Sequence, residues 1–488
     1  MTSAYQKGVL ARDLLTRFAR SKQCCPHHAT SNSGPVCVAR PVGNSSMGSK
    51  DYAFEFASAT LRYGRGVTAE VGYDVKNLGV KHTLILTDSN VAKTRAFKEV
   101  ADSLTRLKLQ FSVFDNVMIE PTATSMAEAI DFARKVGADS FVAVGGGSAM
   151  DTAKAAALLG SNREFELLDF VNAPFGRQLN PLNPMLPLIA VPTTAGTGAE
   201  MTTAAVLDLP ERKCKSTIRH RSLRPLLAII DPLNVMSMPR NVAIYSGFDV
   251  LCHALESYTL KQFDMVTLSL KAGLKSIQRS PKPSKPDQRP AYQGANPVSD
   301  VWVREALQII SKYFRRSVND PDDEEARAEM MKAASFAGMG FSNAGVHLCH
   351  ALCYPISSIG KSFVDRDYNK DKPLIPHGLA VVTTAVADFL FTTDANPQRH
   401  AEAARCLGAE IPVSASSDYI AQTLTNEIRG YMSDFGVPNG LSALGFDRSD
   451  VDKLAESANG SMKAYSLAPK ETDQDTIAGL YEQSLTVY

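Results

Sequence analysis

One aspartate and three histidines of this chain have the residue types and spacing expected of a divalent metal site. Asp249 and His253 lie four residues apart in a helical stretch, so both project from one face of that helix. His350 and His377 follow in the segments VHLCHALCYP and IPHGLA. One carboxylate and three imidazoles suit Fe(II) or Zn(II). A single histidine on an apolar helix is more often a buried structural residue, so this pattern alone is weak evidence.

A run of three glycines stands where a predicted strand passes into a predicted helix, at residues 145–147. Glycine lets the backbone approach a bulky anion and adopt positive φ. The helix, predicted from about Ala149, would direct free N–H groups and the positive end of its dipole at that anion. The GxGxxG fingerprint is absent, so the pattern indicates pyrophosphate binding and a simple tight turn about equally. The candidate phosphate contacts are Gly146, Gly147 and Ser148.

Two further segments could contact a dinucleotide. The loop PTTAGTGAE at 192–200 follows a buried strand, although alone it is more typical of an ordinary N-capped helix. Asp88 ends the apolar run 81–88, where a carboxylate can accept both ribose hydroxyls of an adenosine and would repel a 2′-phosphate. Asp88 is also a candidate helix cap, and the two roles are compatible. The candidate contacts of the loop are Thr193, Thr194 and Thr197.

The elements that must position these residues form two blocks. Up to Pro239, apolar runs alternate with helical periodicity, which predicts a mostly parallel sheet with helices on both faces and ligands at the carboxyl ends of the strands. Helical periodicity dominates from about 241 to 275, from 300 to 345 and from 377 onwards. We predict an α/β dinucleotide-binding domain at 50–238 and an all-α domain at 239–488. The predicted strands are 81–88, 109–117, 140–147, 187–194 and 226–232.

The N-terminal segment differs from the rest of the chain. Its first 50 residues contain seven Lys or Arg and one acid, Asp13. Leu10, Leu14 and Phe18 repeat every four residues, so a helix would bring them together on one face. We predict that residues 1–49 are a mitochondrial transit peptide and that the mature protein lies in the matrix. A merely disordered basic tail is the alternative.

The overall composition excludes some classes of protein. The 488 residues include 52 Lys or Arg against 51 Asp or Glu, a balance that does not suggest nucleic-acid binding. We found no apolar run near the roughly 20 residues of a membrane helix, so no membrane association is expected. The eight cysteines form no zinc pattern and no dense framework, which fits a reducing interior compartment. A homo-oligomer is compatible with the sequence.

Four ordered motifs carry a resemblance to a known family. GGGSAMDTAK (145–154), VPTTAGTGAE (191–200), GFDVLCHALESY (247–258) and IPHGLA (375–380) resemble signatures of the iron-dependent alcohol dehydrogenases, over about residues 50–488. The resemblance implies that family's fold, shared with dehydroquinate synthase, with NAD and a metal in the cleft between its domains. The implied metal ligands are Asp249, His253, His350 and His377. The implied dinucleotide contacts are Asp88, Gly146, Gly147, Ser148, Thr193, Thr194, Thr197 and Lys215.

Two departures from the family pattern refine the expected activity. Tyr354 stands where many members have a further histidine that relays protons, so proton release would use Tyr354, the cofactor ribose or water. The longer 350–377 stretch and the segment RPAYQGANP resemble mitochondrial members that oxidise 4-hydroxybutyrate to succinic semialdehyde and reduce 2-oxoglutarate to 2-hydroxyglutarate. The alternatives are an alcohol dehydrogenase that releases NADH and a lyase similar to dehydroquinate synthase.

Hydroxyacid and oxoacid substrates carry carboxylates, and burying such a charge without a partner is costly. An arginine or lysine anchor is therefore expected. We predict Arg289, beside Tyr292, because it lies in a stiff proline-rich segment. The alternatives, in the polar insert, are Lys361, Arg366, Lys370 and Lys372.

Overall fold

A computed structural model describes residues 53–263, 283–286, 289–360, 362–368, 373–458 and 465–488. The segment predicted as a transit peptide lies outside the described residues, as do Lys361, Lys370 and Lys372 of the insert. The described residues belong to a single compact unit.

Six parallel strands form the sheet of the first half, in the spatial order β1-β8-β5-β4-β2-β3. All five predicted strands are present, each shorter than its apolar run, and together they confirm the predicted fold class. Three strands were missed: the edge strand β1 and the antiparallel hairpin of β6 and β7. The strands are β1 (Thr60–Tyr63), β2 (Thr83–Leu86), β3 (Phe111–Phe114), β4 (Ser140–Gly145), β5 (Leu188–Pro192), β6 (Ala204–Leu209), β7 (Cys214–Arg219) and β8 (Leu227–Ile230).

Helices connect these strands and cover the sheet. Strands β2, β4 and β5 are buried along their whole length, as expected for the centre of a parallel sheet. The helix after β4 begins at Gly147, two residues earlier than predicted, and is buried from Ala149 to Leu159. The helices of this half are α1 (Val71–Leu78), α2 (Arg95–Arg106), α3 (Ala123–Val136), α4 (Gly147–Ser161) and α5 (Leu167–Phe170).

The described second half is helical. One helix, α9, falls between the helical stretches predicted at 300–345 and from 377 onwards, and it carries both His350 and Tyr354. The helices are α6 (Arg240–Thr259), α7 (Pro297–Asn319), α8 (Glu324–Ala344), α9 (Leu348–Ile359), α10 (His377–Thr392), α11 (Pro397–Cys406), α12 (Ser417–Phe435), α13 (Gly440–Ala443), α14 (Val451–Ala458) and α15 (Gln474–Gln483).

Helix α6 is the central helix of this half. It is buried without interruption from Gly247 to Thr259, so it has no solvent-facing stripe over the stretch that carries the candidate metal ligands. Helix α10 begins directly against it, since a Cβ at Gly378 would overlap the backbone carbonyl of Tyr245. Glycine permits this close approach of two backbones. The start of α10 is thereby held one turn of α6 away from Asp249.

The segment His377–Ala395 is long and apolar enough to cross a membrane by length and composition. However, 78% of its most apolar 18-residue window is buried inside the protein. A core helix meets the same two criteria, and the burial of α10 against α6 accounts for its apolar character.

Candidate active site

Three of the four predicted metal ligands converge. His350 Nε2 lies 3.2 Å from Asp249 Oδ1, and His377 Nε2 lies 3.7 Å from the same oxygen. The candidate ligand atoms of these three residues all lie within 4.8 Å of one another. They come from α6, α9 and α10, so this group depends on the packing of three helices rather than on a local motif.

His253 lies beside this group but is not a member of it. Its Nδ1 is 3.5 Å from Asp249 Oδ1, is buried and has no hydrogen-bond partner. The ring is sandwiched between Phe341, at 3.9 Å between centroids, and His350, at 4.2 Å. An imidazole held this firmly with an unbonded buried nitrogen is suited to binding an additional atom at the centre of the group.

The electrostatics of Asp249, His253 and His377 favour ligation. Burial by itself raises the pKa of Asp249, but the imidazoles of His253, His377 and His350 outweigh burial and lower it, so the carboxylate is ionised. Burial lowers the pKa of His253 and of His377, which keeps both rings neutral. Ionised carboxylate and neutral imidazole are the forms that bind metal.

A buried glutamate orients His350. Glu256 Oε2 contacts His350 Nδ1, and Glu256 Oε1 accepts hydrogen bonds from the backbone N–H groups of His347 (3.0 Å) and His350 (3.2 Å). With its Nδ1 bonded to Glu256, His350 presents Nε2 to Asp249. Burial lowers the pKa of His350, but Glu256 outweighs it and raises the pKa. Glu256 was missed, although it lies seven residues after Asp249 and therefore on the same helical face.

The two glycine-rich loops interlock because they follow the neighbouring strands β4 and β5. A Cβ at Gly146 would lie 3.2 Å from the Thr194 side chain, and one at Gly147 would lie 2.8 Å from Thr197. Gly146 caps helix α4 without a side-chain hydrogen bond, so the helix does not use a side chain to satisfy its first N–H groups. Thr193 donates its backbone N–H to the carbonyl of Gly145.

Asp88 lies beside the same turn and also binds the start of a short 3-10 helix (Val91–Lys93), whose N-cap residue is Asn90. Its Oδ1 accepts the backbone N–H groups of Asn90 (2.8 Å) and Val91 (3.0 Å). Its Oδ2 lies 3.9 Å from the position of a Cβ at Gly145. The order β5-β4-β2 of the sheet explains this, since β2 and β5 flank β4 and all three end at the same edge.

A cavity of about 350 Å³ joins the glycine-rich loops to the histidines. Some predicted site residues are not among the described residues that line it. These are Asp88, Gly146, Thr193, Thr194, Asp249 and Arg289. The predicted residues that line it are Gly147, Ser148, Thr197, Lys215, His253, Tyr292, His350, Tyr354 and His377. Those that were not predicted include Glu120, Asp151, Asn172, Arg219 and Phe341.

Strand β7 forms one wall of the cavity. Its side chains alternate, so Lys215, Thr217 and Arg219 share one face and all three line the cavity. Lys215 is ion-paired with Glu120, which has a positive φ of 55°. Burial opposes both charges, but their attraction is stronger, so the pKa of Glu120 is lowered and that of Lys215 is raised. Lys215 thus reaches the site in a pair that the sequence did not predict.

Tyr354 lines the same cavity as the histidines and the residues of β7. Its ring is 6.4 Å from that of His377, measured between centroids. Burial raises the pKa of Tyr354, so the phenol keeps its proton. A neutral hydroxyl group facing the cavity can donate or accept a hydrogen bond.

The basic residues predicted as substrate anchors are placed elsewhere. The backbone carbonyl of Arg289 accepts a hydrogen bond from Arg221, and Arg289 is absent from the described lining of the cavity. Arg366, in the insert, is exposed. Tyr292 does line the cavity, and it stacks on Arg219 rather than acting beside Arg289. Proximity in sequence misled the prediction here, because the arginine that stacks on Tyr292 comes from a strand 73 residues earlier.

Comparisons with known proteins identify the family and the fold. Residues 58–232 match the family model of iron-containing alcohol dehydrogenase, and residues 291–485 match that of the family's C-terminal region. The crystal structure of a 1,3-propanediol oxidoreductase superposes with a TM-score of 0.73 at 26% identity, covering 88% of this chain and all of that one.

Full-length relatives are more similar still. A mitochondrial hydroxyacid-oxoacid transhydrogenase of Caenorhabditis briggsae is 59% identical over 479 residues, covering 98% of this chain and 99% of the relative. The protein of the same name from Bos taurus is 44% identical over 475 residues, covering 97% and 98%. These names confirm the predicted mitochondrial location. The chain belongs to the iron-containing alcohol dehydrogenase family and is an oxidoreductase that acts on CH–OH groups.

Proposed function

We propose that this protein is a hydroxyacid-oxoacid transhydrogenase. It oxidises 4-hydroxybutyrate to succinic semialdehyde and transfers the hydride to 2-oxoglutarate, which becomes 2-hydroxyglutarate. The observation that carries the proposal is a single cavity that contains the three candidate metal-binding histidines, the glycine-rich start of α4 and the basic strand β7. The names of its full-length relatives support the same reaction.

Family membership implies NAD and a divalent metal, and the residues fit both groups. The convergence of Asp249, His350 and His377, together with the unbonded buried nitrogen of His253, fits one ion held by these four residues. The N-terminus of α4 at Gly147, which has no side-chain cap, fits a pyrophosphate. When bound, the metal supplies a Lewis acid for the substrate oxygen and NAD supplies the hydride carrier. Nitrogen and oxygen ligands suit Fe(II) and Zn(II), and iron is the metal in the family's description.

The chain's own residues bind the dinucleotide, exchange a proton with the substrate and exclude water. Ser148 and Thr197 line the cavity where the two glycine-rich loops meet, and they provide hydroxyl groups for the dinucleotide. Tyr354 holds a proton on its phenol oxygen near His377, where it can exchange a proton with the substrate oxygen directly or through water. The stacked rings of Phe341 and His253 exclude water from one side of the site.

A transhydrogenase must keep its reduced cofactor until the oxoacid arrives. The balanced reaction takes one hydride and one proton from 4-hydroxybutyrate and delivers both to 2-oxoglutarate, so it needs no net oxidant. The same residues would serve both directions of hydride transfer, and the two substrates would bind in turn.

The proposal is tested with purified holoenzyme and with NAD present only at the concentration of the enzyme. We expect many turnovers, with succinic semialdehyde and 2-hydroxyglutarate formed in equal amounts. If 4-hydroxybutyrate carries deuterium at C4, the deuterium should appear at C2 of 2-hydroxyglutarate even when excess unlabelled NADH is present. Product formation only with excess NAD, or dilution of the deuterium by free NADH, would instead identify an ordinary dehydrogenase. Asp249→Asn is the inactive control.

A further inference from the structure

We propose that Arg219, on strand β7, binds the carboxylate that 4-hydroxybutyrate and 2-oxoglutarate have in common. The inference rests on the proposed function, since it identifies how that function would recognise its substrates. It replaces Arg289, which the sequence suggested and which does not line the described cavity.

Arg219 is a charged side chain without a charged partner among the described residues. Its guanidinium forms no ion pair with any described residue, and its buried Nε has no hydrogen-bond partner. Leaving such a group unsatisfied is costly, because it gives up hydration without a replacement. A carboxylate that enters the cavity would satisfy it with paired N–H···O bonds.

The acidic residues that also line the cavity do not fill this role. Each of them is bonded to another group in the described structure. Glu120 pairs with Lys215, Asp151 with Lys154, and Asp208 accepts a hydrogen bond from Ser358. Lys215 is a weaker candidate anchor for the same reason, since its charge is already matched by Glu120.

Tyr292 fixes the orientation of the guanidinium. The Arg219 Cζ atom lies 3.8 Å from the centroid of the Tyr292 ring, a stacked cation–π contact. Stacking occupies the face of the guanidinium and leaves its N–H edge available for a planar carboxylate. The positive charge of Arg219 also acts on Tyr354, where it lowers the pKa against the larger effect of burial. The arginine and the tyrosine beside His377 therefore belong to one part of the cavity.

The chemistry of the two substrates explains why one anchor serves both. In 4-hydroxybutyrate, two methylene groups separate the reacting carbon from the carboxylate. In 2-oxoglutarate, two methylene groups likewise separate the reacting carbon from the distal carboxylate. A cation fixed at one end of the cavity would therefore place both reacting carbons at the same position, as alternate use of one hydride carrier requires.

The test compares the wild-type holoenzyme with Arg219→Met and Arg219→Lys. We expect Arg219→Met to weaken the binding of glutarate, an unreactive dicarboxylate, by roughly 10- to 100-fold in calorimetry, and to raise the KM for 4-hydroxybutyrate by a similar factor. The KM for 1-butanol, which has a methyl group in place of the carboxylate, should change less than about threefold. Arg219→Lys keeps the charge but loses the planar fork, so it should give an intermediate effect.

Two matched variants separate an anchor from a structural residue. Arg224→Met removes another half-buried arginine whose Nε lacks a hydrogen bond but which does not line the cavity, and it should leave glutarate binding unchanged. Arg289→Ala should do the same. If Arg219→Met affects 4-hydroxybutyrate and 1-butanol equally, or if only Arg289→Ala weakens glutarate binding, the proposal is wrong. Metal content and the midpoint of thermal unfolding verify that each variant is folded.

A failure of the proposed function can be distinguished from a failure of the Arg219 proposal. A wild-type enzyme that transfers no hydride from 4-hydroxybutyrate to 2-oxoglutarate would contradict the transhydrogenase assignment. The glutarate measurement would still decide whether Arg219 binds carboxylates, because it needs no turnover.

Discussion

The cavity has a helical wall, formed by α6, α9 and α10, and a wall formed by β7. The charges on these two walls are balanced in different ways. On the helical wall, Asp249 is surrounded by three imidazoles, and His350 is bonded in turn to Glu256. On the wall formed by β7, Arg219 faces the cavity with no acidic partner among the described residues. The helical wall is balanced by protein groups that converge on a centre, which suits an ion that stays bound. The β7 wall leaves a charge to be balanced by a molecule that comes and goes.

The walls also differ in the contacts that hold them in place. The helical wall depends on backbone contact between α6 and α10 at Gly378, and on a glutamate that is completely buried. The β7 wall belongs to a two-stranded hairpin, with Lys154 of α4 donating to the carbonyl of Ala204 at the start of β6. Substitutions on the helical wall should therefore change metal retention, whereas those on the β7 wall should change substrate binding.

The largest expected effect comes from His253→Ala. Removing this imidazole takes away the buried nitrogen that has no other partner, so the variant should lose its metal on dialysis and its turnover by about three orders of magnitude or more. Metal analysis after dialysis and the hydride-transfer assay measure the two effects. His220→Ala is the control, because His220 bonds to Ser222 and does not line the cavity. Full metal content in the His253 variant would remove this residue from the ligand set.

A smaller effect is expected from Glu256→Gln. The amide keeps the size of the side chain but removes the negative charge that faces His350 Nδ1, so metal affinity should fall by roughly 10- to 100-fold. Competition with a chelator measures this change. Asp388→Asn is the matched control, since Asp388 is also fully buried but accepts hydrogen bonds from Cys349 and lies 3.2 Å from His347 Nδ1.

Metal affinity should distinguish Glu256→Gln from Asp388→Asn. Both are expected to lower the midpoint of thermal unfolding, because each weakens a buried polar network. Only Glu256→Gln should weaken metal binding as well. Equal losses of metal in both would mean that Glu256 acts through general stability and not through His350.

Two kinds of site residue could be predicted from the sequence. They are the residues that follow a central strand and the residues that recur on one face of a helix. Apolar runs marked five strands, and the carboxyl ends of neighbouring parallel strands meet at one edge, so the glycine-rich loops could be expected near each other. Asp249 and His253 were found because four residues span one helical turn. Glu256 obeys the same rule at seven residues and could have been found in the same way.

Other parts of the site depend on contacts that sequence does not record. Arg219 was missed because β7 lies in a two-stranded hairpin with β6 and has polar residues on both faces, so its pattern is not that of a buried strand. The contact of Arg219 with Tyr292 joins segments 73 residues apart. The polar and proline-rich character of the segment around Arg289 gave no information about which way its side chains face.

The smallest expected effect concerns Asp88, which lies outside both walls at the edge of the sheet. Its Oδ1 is occupied by two backbone N–H groups, while its Oδ2 is close to Gly145 at the glycine turn. If the carboxylate also meets the adenosine ribose, removing its charge should relax the preference for NAD over NADP, by about 10-fold in the ratio of their dissociation constants.

Two substitutions distinguish the charge of Asp88 from its role as a cap. Asp88→Asn keeps an oxygen that can accept the N–H groups of Asn90 and Val91 but removes the charge, whereas Asp88→Gly removes both. If charge repels the 2′-phosphate, titration of the two variants with NAD and NADP should show the same relaxed preference. If Asp88 is only a cap, Asp88→Asn should bind both dinucleotides as the wild type does, and only Asp88→Gly should differ. That second result would place cofactor discrimination elsewhere at the sheet edge and confine the electrostatic contrast to the two walls of the cavity.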